Sequence, residues 1–242
     1  MGFRFAAPAD SAALLEIYGQ YLDTPTTFEC VLPSEEEFAG RITAFGGTYP
    51  YLVWEEDGRI RGYAYAHRQA ERAAYQWNAE LSVYLDRDCT GRGVGRRLYS
   101  ALMDILRLQG IRTVYGCVTL PNEKSEGLHR TMGFQKLGTY HSAGYKCGAW
   151  HDVAWFERPI APYDQDPAPI RSIGEIPAET LGEALSRRGI ALRTGLHCAP
   201  LAHESAGTLE TGTLRASFSL FNREEEVEAF LAAVEEACGG KS

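Results

Sequence analysis

The chain has 242 residues, 45% of them hydrophobic and 23% charged, with a formal net charge of −8, a globular composition with room for one large or two small cores. The acidic balance argues against a general nucleic-acid surface, which needs clustered Lys and Arg, and no apolar run approaches the roughly 20 residues that cross a bilayer, so no membrane partner is expected. Pro8 and Asp10 break up what would otherwise be a leader, and the six cysteines (30, 89, 117, 147, 198 and 238) show neither CxxC nor metal-ligand spacing, which predicts reduced thiols, no metal and a cytoplasmic protein.

Residues 3–5 read as a short strand. Asp10 is placed to cap a helix running to Tyr21, and Ser34-Glu35-Glu36-Glu37 opens a second helix to about Phe45 as a capping box. Residues 51–54 and 60–67, joined at Asp57-Gly58, make a hairpin. There follow a strand over 79–85, a glycine-rich turn, an amphipathic helix over 98–108, a strand over 113–118, a helix over 123–132, and closing strands over 134–140 and 153–157. This order predicts an α/β (α+β) fold, a mixed sheet flanked by helices. Four prolines between Pro159 and Pro169 then read as an extended linker. The chain accordingly divides into a domain of residues 1–160, a linker over 161–169 and a small module over 170–242.

The turn after the strand over 79–85 is the most informative stretch. In Thr90-Gly91-Arg92-Gly93-Val94-Gly95-Arg96 three glycines let successive backbone N–H groups converge, and the helix that follows adds its positive dipole end. Such a loop suits a pyrophosphate, although glycines alone also make an ordinary turn. G-x-G-x-G lacks the third glycine of a dinucleotide fingerprint, and Gly95 is followed by Arg96-Arg97 rather than the Lys-Ser/Thr of a P-loop.

Further stretches occur with it in a fixed order. They are Glu80-Leu81-Ser82-Val83-Tyr84-Leu85, Leu120-Pro121-Asn122-Glu123-Lys124-Ser125, Leu128-His129-Arg130-Thr131-Met132-Gly133-Phe134, and the segment from Ala143 through Gly144-Tyr145-Lys146 to Trp150-His151-Asp152. Together they resemble the GCN5-related N-acetyltransferases (GNAT), in particular the phosphinothricin and methionine-sulfoximine N-acetyltransferase branch, over nearly all of residues 1–160. The glycine loop is similar to that family's Q/R-x-x-G-x-G/A loop, with Thr90 where Gln or Arg is usual. The resemblance implies acetyl-CoA as donor and the primary amine of a small amino acid or analogue as acceptor, by direct transfer in a ternary complex. Acetylation of a protein or peptide amine, or a non-catalytic acyl-CoA-binding module, are the other functions it allows; a homodimer is an assembly it allows.

Residue roles follow from the same resemblance. Glu80 matches the general base that frees the amine of its proton, or else is a strand carboxylate facing solvent. His129 stands where relatives carry a tyrosine that protonates the departing thiolate; it can donate that proton, steer the amine, or merely pack against a strand end. The backbone of Val83, Tyr84 and Leu85 is expected to pair with the amide arm of the cofactor and to aim an N–H at the thioester oxygen. Thr90, Gly91, Arg92, Gly93, Val94, Gly95 and Arg96 would hold the pyrophosphate. Asn122 and Ser125 are cofactor contacts, a helix N-cap, or both. On the acceptor side stand Phe28, Arg72, Trp77, Tyr145 and Lys146, with Arg72 and Lys146 as the cations for an acidic substrate group.

The tail reads as helix, strand, loop, strand and helix over 181–188, 190–193, 194–200, 211–218 and 222–237. It resembles the C-terminal end of class V aminotransferase-like enzymes, cysteine desulfurases in particular, where Cys198 matches the sulfur-accepting cysteine and Arg215, with Arg193, the carboxylate-holding arginine. No domain remains for a Schiff-base lysine, so no pyridoxal phosphate is expected. The resemblance leaves a relic, a stability module, or a docking module for a sulfur-metabolism protein partner.

Overall fold

The computed structural model describes residues 2–186, 192–195 and 213–216. The chain falls into one unit of Met1–Pro177 and a second of Ala178–Ser242.

In the first unit β1 (Gly2–Phe5), β2 (Tyr51–Glu56), β3 (Arg59–Arg68), β4 (Asn78–Leu85), β5 (Thr113–Thr119), β6 (Gln135–Lys146) and β7 (Ala149–Pro159) form one sheet, ordered β1-β2-β3-β4-β5-β7-β6. All neighbours run antiparallel except β4 and β5, which are parallel. That pair needs a crossover, supplied by the glycine loop and α3 (Val94–Gln109). The other helices are α1 (Ser11–Gly19), α2 (Glu35–Gly46) and α4 (Glu123–Thr131).

Local chemistry sets several boundaries. The Ser34 hydroxyl accepts from Glu37 N–H at 3.1 Å and starts α2. Asp10 differs from expectation: it precedes α1 without capping it by its side chain, because its carboxylate takes the Ala7 N–H and the Arg4 guanidinium instead. The β2–β3 turn is Asp57-Gly58, both with positive φ (53° and 69°), as a tight two-residue hairpin requires. Cys147-Gly148 repeats that geometry between β6 and β7, which run farther than expected, through the whole Ala143–Asp152 stretch.

Two cores lie on opposite sheet faces. Against α3 pack Leu52, Ala64, Leu81 and Val114, with Leu98, Leu102, Ile105 and Leu106 wholly buried on the helix; each such leucine contributes about 1.5–3 kcal/mol. Against α1 and α2 an aromatic ladder forms, with Tyr84, Tyr63, Tyr51, Tyr65 and Phe45 at 4.8–6.0 Å between successive rings.

The proline-rich segment is not a free connector. Ile160 and Ala161 N–H bond the Arg112 carbonyl, Arg112 pairs with Asp164, and Tyr163 meets the Thr113 hydroxyl. Farther on, Arg171 N–H donates to the Gln109 carbonyl and Ile173 N–H to that of Thr48, while Gln109 Nε2 donates to the carbonyls of Thr48 and Arg171. Ile176 ends the run buried. Residues 161–177 are thus a strap on the first unit, and the boundary falls after Pro177 rather than at 160–169. Composition signals an extended segment without saying where its carbonyls and amides find partners.

In the second unit the described residues form α5 (Ala178–Ser186) and the antiparallel pair β8 (Leu192–Gly195) and β9 (Thr213–Ala216), with Arg193 opposite Arg215. Cys198 and the rest of the tail lie outside the described residues.

Candidate active site

A fork in the middle of the sheet organises the site. β4 pairs with β5 only through Asn78, Ala79 and Glu80, yet stays paired with β3 as far as Leu85. Asp86 N–H donates to the Arg61 carbonyl at 2.9 Å, which fixes the parity of the β3–β4 ladder. Glu80, Ser82 and Tyr84 therefore exchange bonds with His67, Tyr65 and Tyr63, whereas the backbone groups of Leu81, Val83 and Leu85 turn into the fork. Two carbonyls there are already met, Leu81 by the Tyr99 hydroxyl at 3.1 Å and Leu85 by that of Tyr21 at 2.5 Å. The Val83 and Leu85 amides remain open to an extended ligand. Tyr84 departs from expectation: its backbone is spent on β3, and its ring packs among Tyr18, Tyr21 and Tyr63.

Glu80 and His129 reach the fork from opposite faces. Glu80, the last β4 residue paired with β5, stands half-buried on the α1/α2 face, and burial raises its pKa above the ordinary carboxylate range while the nearby His67 charge opposes the shift. Cys117 shares that face, and burial together with the Glu80 charge pushes its thiol up to about 12. His129 comes from α4 and lies 2% exposed over Gly116, the first β5 residue beyond the last pair with β4. Phe134, Phe156 and Tyr99 wall its ring at 4.9, 5.1 and 5.7 Å.

His129 Nδ1 is 2.8 Å from the Ser125 carbonyl, so that nitrogen carries the hydrogen and Nε2 is a buried acceptor with no partner among the described residues. Burial also lowers its pKa. A neutral imidazole in this tautomer has no proton at Nε2 to give. Among the described residues His129 is thus packed, with its Nδ1 on the Ser125 carbonyl and its Nε2 unpartnered.

The glycine loop closes the wide end of the fork. Gly91 and Gly93 take φ of 75° and 81°, and a Cβ on either meets nothing within 4 Å, which leaves a cradle open to an anion. Gly93 precedes Val94, the buried first residue of α3. Gly95 is no part of the cradle: it is buried in the first turn, where a Cβ lies 3.5 Å from Leu85 and 3.7 Å from Leu128. Arg92 is likewise turned aside, held to Glu56 by bonds of 2.7 and 2.9 Å. Arg96 is exposed beside the cradle, and Lys124 reaches Thr90 Oγ1 at 3.3 Å across the loop. Asn122 Oδ1 accepts the Ser125 N–H at 3.1 Å, so Asn122 is the α4 N-cap and Ser125 supplies the amide that it satisfies.

The acceptor-side residues scatter. Phe28 lies against Gly144, where a Cβ would come within 2.6 Å of its ring, and Tyr145 is exposed with its ring edge-on to Trp150. Lys146 is not a substrate cation: it is buried and donates to the Thr27 carbonyl at 2.6 Å, clasping the β6–β7 hairpin to the loop after α1. Trp77 is also structural, its Nε1 donating to Ala168 of the strap at 2.8 Å. Arg72 is exposed at the start of a 3-10 turn and forms no ion pair among the described residues. Sequence reasoning missed Tyr21, Tyr99, Lys124 and His67. Only His67 had a local signal, its in-phase alternation with Tyr63 and Tyr65 on β3. Among the described residues no cluster of His, Cys, Asp and Glu could hold a metal ion, and no helix is long and apolar enough to cross a membrane.

Comparison with known proteins agrees with this geometry. Residues 3–155 match the acetyltransferase (GNAT) domain family, and residues 170–230 match class-V aminotransferases. A phosphinothricin N-acetyltransferase of Streptomyces viridochromogenes is 34% identical over 72% of this chain and 94% of its own. An L-amino acid N-acyltransferase of Escherichia coli is 31% identical over 65% of this chain and 92% of its own. The crystal structure of a phosphinothricin acetyltransferase from Sinorhizobium meliloti in complex with AcCoA superposes with a TM-score of 0.64 at 33% identity, covering 69% of this chain and 95% of that one.

Proposed function

The chain belongs to the GNAT acetyltransferase family, and from that premise we propose that it transfers the acetyl group of acetyl-CoA to the primary amine of a small amino acid or analogue of the phosphinothricin and methionine-sulfoximine kind. The observation that carries this reading is the coincidence at one point of an open strand edge and a half-buried carboxylate, Glu80. The open Val83 and Leu85 amides suit the amide arm of the donor, and the Gly91–Gly93 cradle with Arg96 and Lys124 suits its diphosphate. The donor supplies an activated acyl group. Glu80 takes the proton from the substrate ammonium, and a carboxylate made more basic by burial does so more readily. Arg72, exposed and in no ion pair among the described residues, is the contact for the substrate's acidic group.

Glu80→Gln keeps the shape and removes the base, so turnover should fall by about 10²-fold or more while acetyl-CoA affinity persists. Thiol release measured against a panel of amino acids tests both points; near wild-type turnover in this variant refutes the assignment. A homodimer belongs to the same proposal, supported by the exposed Leu137 and Tyr140 of edge strand β6. A cytoplasmic setting is supported by the free thiols of Cys30, Cys89, Cys117 and Cys147. For the tail, the class-V match supports a retained module, and a persulfide donor that labels Cys198 ahead of the other cysteines would give it a sulfur-accepting role.

A further inference from the structure

His67 is a titratable side chain beside the base that the mechanism above does not use. It sits directly opposite Glu80 in the β3–β4 ladder, on the same face and in a hydrogen-bonded pair. Its ring is stacked on Phe45 at 5.5 Å and lies 6.0 Å from Tyr65, so it is held rather than waving in solvent. Nδ1 is 2.9 Å from the Arg68 carbonyl and must carry the hydrogen, which leaves Nε2 of the neutral ring as a proton acceptor. Glu80 and His67 are both half-exposed, so the pair joins the fork to the α2 side of the sheet and to water. His129, by contrast, is sealed on the other face.

We propose that His67 takes at Nε2, through one bridging water, the proton that Glu80 has removed from the substrate ammonium, and passes it to solvent. The inference rests on Glu80 being the base. The ammonium N–H breaks as a Glu80 O–H forms; that O–H then breaks as the bridging water gains the proton, one of that water's O–H bonds breaks as His67 Nε2–H forms, and the resulting imidazolium loses the proton to bulk water. No other reactant is needed. His67 acts through Glu80 and is therefore a positioning residue for the proton, not a catalytic one. The charged and titratable groups around the pair are Tyr65 and Arg68 on β3, Tyr51 on β2, Arg41 on α2, Glu29 in the loop before α2, Cys117 on β5 and Tyr99 on α3. Arg41 is already committed to Glu29 and Glu37, and the Cys117 and Tyr51 protons are held too tightly to move near neutrality. Histidine is the side chain whose charge changes closest to neutral pH, which suits it to hand a proton on.

The test uses the full chain with acetyl-CoA and the best amine of the panel. His67→Ala should lower kcat about tenfold at neutral pH with the acetyl-CoA KM unchanged, and added imidazole should restore turnover in a saturable way. His67→Gln, which keeps a planar side chain against Phe45, should give a kcat–pH profile that differs in shape from that of the wild type. Wild-type kcat in His67→Ala, a loss that imidazole does not repair, or an unchanged pH profile in His67→Gln would overturn the proposal. Glu80→Gln separates it from the premise: that variant should be slow and insensitive to imidazole, and if it is fast, the base assignment falls and this inference with it.

Discussion

Replacing Gly116 by alanine tests the packing at the root of the fork. The added methyl would stand 2.1 Å from His129 Nε2, 2.8 Å from Cδ2 and 3.2 Å from Cε1. Ordinary contact begins at 3.4 Å, so the ring must retreat by about 1.3 Å, the difference between 3.4 and 2.1. Phe134, Phe156 and Tyr99 close the lateral exits, and the Nδ1 bond to Ser125 resists rotation. Overpacking of this kind costs about 1–3 kcal/mol, and at this chain length each kcal/mol lowers Tm by about 2–4 °C. Thermal unfolding of Gly116→Ala should show that loss. In a His129→Ala background the methyl has room, and the same substitution should cost little, giving a coupling of about 1–3 kcal/mol in the double-mutant cycle. Wild-type Tm in the single variant, or an equal penalty in both backgrounds, would refute the packed role given to His129.

Gly93→Ala forces a side chain to φ of 81° and intrudes on the cradle; it should destabilise by about 1–2 kcal/mol and weaken acetyl-CoA binding by calorimetry, whereas Gly95→Ala, which meets only ordinary contacts, should leave binding nearly intact. Because the Glu80 pKa is raised in the folded state, ionised Glu80 costs stability at pH values above that pKa, and the cost is relieved as pH falls through it. Glu80→Gln should therefore unfold at a higher temperature than wild type at pH 7–8, with the gap closing as the solution is acidified toward the carboxylate range; a gap that widens would contradict the burial assigned to Glu80. A chain ending at Ile160 loses the bonds of the strap to Trp77, Gln109 and Thr48 and should melt several degrees below one ending at Pro177, which keeps them, by about 2–4 °C per kcal/mol lost. Equal melting of the two truncations would make the strap dispensable.

What the sequence made legible was local. The Asp57-Gly58 turn, the Ser34 cap, the glycines before α3 and the amphipathic α3 each declare themselves within a few residues, and each is where it was expected. The fork was legible only through resemblance, because it is an absence of pairing between two strands separated by a loop and a 16-residue helix. Charge misled at Lys146 and Arg92, since no pattern reveals that one is buried under the Thr27 carbonyl and the other tied to Glu56 across 36 positions. Trp77 misled similarly, its partner Ala168 lying 91 residues away. Glu80 and His129 were both singled out by the sequence, but not that they stand on opposite faces of the sheet.

The parting of β4 from β5 also turns one strand into its own gauge of occupancy. The amides of Ser82 and Tyr84 are tied to β3 and should resist exchange with heavy water, while those of Val83 and Leu85, facing the fork, should exchange readily, so that protection along four consecutive residues alternates odd from even. Acetyl-CoA laid along the open edge should erase that alternation without moving β3. The same four signals would then report, residue by residue, how far down the fork a shorter thioester or a bare pantetheine arm extends.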